Sequence, residues 1–227
     1  MKHEDNFIRA DKHTQIDYKN ELARKAIHLS SISIPIIYYH ITRELALTLL
    51  IPMFLGFLLV DLLKLYVKPV SRWYHKNFSS MLRPHELDEN KKQLNGATYV
   101  SLSACLVVIL FPKMIAIAAF SILIISDSLA ALVGRRIGRH KIGTKTLEGS
   151  IAFLVSAILI AVFTPNLNLT VGIMMSVVAT IVELSPIGFR GHQFDDNLTI
   201  PMISGGFAYA WYLLLLPSAL PLISLAY

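Results

Sequence analysis

The chain of 227 residues is 54% hydrophobic and only 16% charged, with a net charge of +6 and one cysteine. A soluble domain of this length needs more polar surface, so a single membrane-embedded domain is expected, with no room for a separate soluble one. Cys105, alone in an apolar run, excludes an intramolecular disulfide and a cysteine-based zinc site, and the excess of Lys and Arg reads first as membrane topology rather than nucleic-acid binding.

In chain order, residues 1–25 form a polar segment without the basic start, apolar middle and small-residue cleavage site of a signal peptide. Seven apolar segments follow, at about 26–41, 45–66, 96–111, 114–133, 150–163, 171–184 and 198–216. The first is short and semi-polar, with His28, Ser30, Ser31, Ser33 and Pro35. The last is interrupted by Pro201 and by Gly205 and Gly206. The expected fold is therefore all-α, a polytopic transmembrane bundle of about seven spans occupying residues 26–227.

The basic residues test that count. Lys2, Arg9, Lys12, Lys19, Arg24 and Lys25 precede the first segment. Lys64, Lys68, Arg72, Lys76, Arg83, Lys91 and Lys92 cluster around the second connection. Arg135, Arg136, Arg139, Lys141 and Lys145 lie in the fourth, and Arg190 in the sixth. The alternate connections hold only Arg43 and Lys113. By the positive-inside rule the N-terminus is cytoplasmic and the C-terminus outside. Within 67–94, Val70, Trp73, Tyr74, Phe78, Met81 and Leu82 recur near helical spacing between basic residues. That pattern suits an amphipathic helix in the membrane interface, or one packed on the bundle from the cytoplasmic side.

Ionisable residues inside spans are costly and mark function. Asp127 sits in the apolar fourth segment, with Ala130, Ala131 and Gly134 on its face. A glycine-rich basic loop follows, with Arg135, Arg136, Gly138, Lys141, Lys145 and Gly149, and with Ser150 placed to cap the fifth helix. Glycines admit an anion to the backbone, cations neutralise it, and a helix N-terminus favours it. The order of residues is not that of a Walker A loop. Glu183 and then Asp195, Asp196, Asn197 and Thr199 supply hard oxygen ligands of the kind that hold Mg²⁺ beside substrate phosphates. Arg24, Lys25 and His28 open the first segment; Asn95, Gly96 and Thr98 open the third. All these groups fall at the cytoplasmic ends of their helices, which points to a site shared by a cytosolic polyanion and a lipid.

Four stretches resemble the CTP-dependent lipid kinases, the family of dolichol kinase, phytol kinase and CTP-using diacylglycerol kinase. Arg24-Lys25-Ala26-Ile27-His28 is similar to their Arg-Lys-x-x-His. Residues Asp127 to Gly138 are similar to Asp-x-x-Ala-x-x-x-Gly-Arg-x-x-Gly, and Lys145 to Ser150 to Lys-Ser/Thr-x-x-Gly-Ser. Glu183 with Asp195-Asp196-Asn197-Leu198-Thr199-Ile200-Pro201 is similar to Glu…Asp-Asp-Asn-x-Thr-x-Pro. The resemblance spans about residues 24–205, and phosphatidate cytidylyltransferases look like distant relatives.

The resemblance implies transfer of the CTP γ-phosphate to a lipid hydroxyl with Mg²⁺, at the cytoplasmic face of a membrane, which in a bacterium or archaeon is the inner or plasma membrane. Asp127, Asp195 and Asp196 would bind the metal or activate the hydroxyl, with Glu183 and His28 in the catalytic group. Arg24, Lys25, Arg135, Arg136, Gly138, Lys141, Lys145, Gly149, Ser150, Asn197 and Thr199 would hold the nucleotide and its phosphates. A cytidylyltransferase making a CDP-lipid is the alternative, and a transporter coupled through Asp127 a more remote one. Neither the lipid nor the oligomeric state, a homodimer included, is decided by these residues.

Overall fold

The computed structural model describes residues 18–78, 94–185, 188–189 and 192–220; for 188–193 it describes the backbone of the strands only. Each of the seven expected segments falls on a helix. The first is divided: α1 (Tyr18–Ser30) and α2 (Ser33–His40) meet at a turn at Ser31 and Ile32. Pro35 falls in the first turn of α2, where its missing N–H leaves no helix bond unmade. Then come α3 (Arg43–Tyr66), α4 (Lys68–Phe78) and α5 (Gly96–Leu110). Thr42 starts α3 by accepting a bond from the Leu45 N–H.

The next helix is continuous from Lys113 to Ile137. It consists of α6 (Lys113–Ser121), one π-helical turn (Ile122–Ser126) and α7 (Asp127–Ile137). A two-stranded hairpin follows, β1 (Lys141–Ile142) with β2 (Lys145–Thr146), then α8 (Leu147–Phe163) and α9 (Leu169–Leu184). A second hairpin, β3 (Gly188–Phe189) with β4 (His192–Gln193), precedes α10 (Asp196–Leu215) and a short 3₁₀ turn (Pro217–Ala219). The fold is an all-α membrane bundle, to which the two small hairpins are additions at its polar end. Of the expected amphipathic segment, α4 is a helix, and 79–93 lie outside the described residues.

Among the described residues, three helices, α3, the Lys113–Ile137 helix and α10, are long and apolar enough to cross a membrane. Their mean hydropathies are 2.3, 2.2 and 1.4. α5, α8 and α9 are shorter apolar helices. The Lys113–Ile137 helix forms the centre: Met114, Ile115, Ala118, Ala119, Ile122, Leu123 and Ile124 are wholly buried. Outward, Leu49, Leu55 and Leu59 of α3 and Leu214 of α10 are exposed. Water would not tolerate apolar surface of that extent, and hydrocarbon does. The protein is an integral membrane protein.

The two cations that the charge count set apart meet at one end of the bundle. Lys113 Nζ donates to the Ile41 carbonyl at 2.8 Å and lies over the Tyr38 ring, and the Arg43 guanidinium donates to the Ile109 carbonyl. They pin the α2–α3 turn on the α5–α6 turn. Asp127 is fourteen residues further along the same helix, roughly 21 Å at 1.5 Å per residue.

Candidate active site

The π turn ends where the site begins. Its extra residue per turn advances the register by about 100° relative to α6 and sets the direction in which Asp127 leaves the central helix. Asp127 Oδ2 accepts a hydrogen bond from Lys25 Nζ, which is also 3.4 Å from the Asp127 carbonyl. His28 Nε2 stands 3.7 Å from the same carboxylate oxygen. α1 therefore faces the bundle with its charged side: Glu21 and Lys25 are buried while Leu22 and Ile27 are exposed. This is opposite to a helix in water, and it fits one whose outer face meets lipid.

Arg24 does not join Asp127. Its Nε and a terminal nitrogen donate to Glu21 at 3.1 and 2.6 Å, and Arg135 approaches Glu21 at 3.9 Å from α7. Burial pushes the Glu21 carboxyl up, but Arg24, Lys25 and Arg135 outweigh it and hold the group below its ordinary range, as an anion. Glu21 was missed in the sequence, although its i, i+4, i+7 spacing with Lys25 and His28 marks one polar face.

The second cluster is built from the β1–β2 hairpin. Gly143 takes a φ of +60° at its tip, a left-handed conformation that favours glycine. The hairpin turns the chain so that Lys145 reaches inward. Its Nζ donates to Glu183 Oε1 of α9 at 2.9 Å and to Asp196 Oδ2 of α10 at 3.2 Å. Burial lowers the Lys145 pKa, but Asp196, Glu183 and Asp127 raise it more, so its pKa stands above the ordinary value. Asp127 is among the anions that raise it, which couples the two clusters electrostatically.

One expectation is corrected. The α8 cap is Thr146, whose Oγ1 accepts from the Gly149 N–H at 3.2 Å, and not Ser150. One turn in, Ser150 instead donates to the Thr146 carbonyl at 3.1 Å and reaches Glu183 Oε2 at 3.4 Å. The hydroxyl nearest the incoming extended strand wins the cap because its residue has the β-region backbone that a cap requires. Asp195 likewise serves as the α10 cap, its Oδ1 accepting from the Asn197 N–H at 2.9 Å, while Asp196 faces the site. Thr199 Oγ1 is 3.4 Å from the Asp195 carbonyl, and Asn197 is buried. Arg136 and Lys141 lie exposed at this end of the bundle.

Three glycines make the crossing of α7, the hairpin and α8 feasible. A Cβ on Gly138 would stand 2.2 Å from the Gly134 carbonyl oxygen, and one on Gly149 would stand 2.8 Å from that of Ala130. A Cβ on Gly134 would meet Thr146 Oγ1 at 2.7 Å. Gly138→Ala is therefore expected to cost about 1–3 kcal/mol by overpacking backbone that has no room to give. Thermal unfolding in detergent measures it. An unchanged midpoint would show that the loop relaxes freely.

Glu148 shows how strongly this helix start favours anions. Its own N–H, the His140 side chain at 2.8 Å and the Arg139 and His140 amides hold its carboxyl down at about 2. Among the described residues, no three His, Cys, Asp or Glu side chains group closely enough for an all-protein metal cage. Mg²⁺ does not need one: one or two carboxylates with substrate phosphates suffice. Glu183 and Asp196 fit that requirement, because they already converge on a single cation from two helices.

No family model and no solved structure matches the chain. A Rickettsia prowazekii protein with no assigned activity, RP860, is 33% identical over 82% of this chain and 92% of its own length. The CTP-dependent diacylglycerol kinase 1 of Saccharomyces cerevisiae is 28% identical over 85% of this chain and 73% of its own. A Synechocystis phytol kinase is 33% identical over 41% of this chain and 43% of its own. The chain thus belongs to the family represented by RP860, with more distant homologues that are named as lipid kinases.

Proposed function

We propose that the protein transfers the γ-phosphoryl group of CTP to the hydroxyl of a membrane lipid alcohol at the cytoplasmic face. The observation that carries this is the convergence, at the polar ends of α1, α7, α8, α9 and α10, of Lys25–Asp127 with Lys145–Glu183–Asp196. Phosphoryl transfer needs positioning and charge neutralisation more than covalent help, and this site supplies cations for phosphates beside carboxylates for a metal. The lipid-kinase names of the homologues support the same reading.

The lipid oxygen attacks the γ-phosphorus, the bond from that phosphorus to the β-bridging oxygen breaks, and CDP leaves. Asp127 accepts the hydroxyl proton, and Lys25 holds its carboxylate in place, with the His28 ring 3.7 Å away. Lys145 and Arg135 bear on the phosphates, with the α8 N-terminus behind them. Glu183 and Asp196 would hold Mg²⁺, which would supply neutralisation of phosphate charge. A site on helix ends lets the hydroxyl meet a water-borne nucleotide while the tail stays in hydrocarbon.

Purified protein in detergent with Mg²⁺, labelled CTP or ATP, and phytol, farnesol, polyprenols or diacylglycerol tests this directly. γ-label in lipid is the expected result. α-label in lipid would instead mark a cytidylyltransferase, and no nucleotide turnover with any lipid would remove both enzymes.

A further inference from the structure

One buried ionisable group takes no part in that chemistry. Asp61 and Lys64 lie one turn apart near the end of α3, 1% and 4% exposed, in a helix whose other faces are mostly apolar and outward. Charges there are costly unless their bonding capacity is used. It is used on one target. Asp61 Oδ2 accepts from the Asn95 N–H and from the Thr98 hydroxyl, both at 2.7 Å. Lys64 Nζ is 3.5 Å from Asp61 Oδ1 and donates to Asn95 Oδ1 at 2.5 Å. Asn95 Nδ2 donates to the Tyr74 hydroxyl of α4 at 2.7 Å.

Asn95 is the cap residue of α5, yet its own side chain makes no capping bond. α3 supplies the anion at that helix start instead. The next residue leads to the site: a Cβ on Gly96 would lie 3.5 Å from Asn197 Nδ2. The start of α5 is thus held by directional bonds on one side and abuts the start of α10 on the other.

We infer that Asp61 and Lys64 are positioning residues, which set the start of α5 against Asn197 and so fix where α10 presents Asp196. This rests on the lipid-kinase reading of the site. The double variant Asp61→Leu with Lys64→Met removes both charges together and keeps apolar volume, so the fold is expected to hold. Its kcat/KM in the labelled-CTP assay is expected to fall about 10²-fold, chiefly through a raised KM for the nucleotide, as a misplacement of about 1 Å entails. Asp61→Asn with Lys64→Met, which keeps an acceptor for Asn95 and Thr98, is expected to recover most of that loss. Lys113→Met, at the far end of the bundle, should lower Tm and leave KM unchanged.

A second readout needs no activity. In a Cys105→Ser background, Gly96→Cys with Asn197→Cys should cross-link several-fold faster with Asp61 and Lys64 intact than with the Leu/Met pair. Equal cross-linking rates, or full activity in the Leu/Met variant, overturn the inference. Slowed cross-linking in a protein whose parent turns over no lipid keeps the positioning and removes the kinase reading.

Discussion

Asp127→Asn is expected to lower lipid phosphorylation by about 10³-fold, for a reason that can be separated from folding. The carboxylate is the partner of Lys25, a side chain only 2% exposed. Removing that anion breaks a buried ion pair, although Glu21 and the Asp127 carbonyl remain near Lys25, and costs about 1–3 kcal/mol of stability. Lys25→Met with Asp127→Asn removes both charges and that penalty. The double variant should unfold near the parent Tm and still transfer no phosphate. If it regains turnover, the pair is a structural lock and the chemistry lies elsewhere.

Lys145→Met should cost about 10²-fold in turnover and also change the response to metal. Lys145 neutralises Glu183 and Asp196 from 2.9 and 3.2 Å. Without it, two carboxylates face each other and a divalent cation is the best replacement. In the absence of nucleotide, Mg²⁺ should therefore raise the Tm of Lys145→Met more than that of the parent. Adding Glu183→Gln should abolish that gain. A Lys145→Met protein whose Tm ignores Mg²⁺ would remove Glu183 and Asp196 as a metal pair.

Much of this end of the molecule was legible in the chain. Asp127, Lys145, Glu183 and Asp196 stand out because charge in or beside an apolar segment has few explanations. The roles within the constellation were not. Thr146 and Ser150 are both plausible caps by type, and only the backbone angle at Thr146 chooses between them. Asp195 and Asp196 are adjacent and chemically alike, but the start of α10 takes one as its cap and turns the other to the site. Glu21 and Asp61 were hidden differently. One lay in a stretch rich in charge and the other near the polar end of a span, where charged residues are the ordinary expectation.

By itself the sequence determined the helices, their alternation and the end at which charge collects. These follow from local hydropathy and from the cost of charge in hydrocarbon, and both are written residue by residue. Only the tertiary structure decided which charges meet. Lys25 and Asp127 are 102 residues apart, and Lys145 and Asp196 are 51. An ion pair across such a separation depends on helix packing, on glycine crossings such as Gly134 with Thr146, and on the π turn that aims Asp127. None of these carries a signal within a single segment.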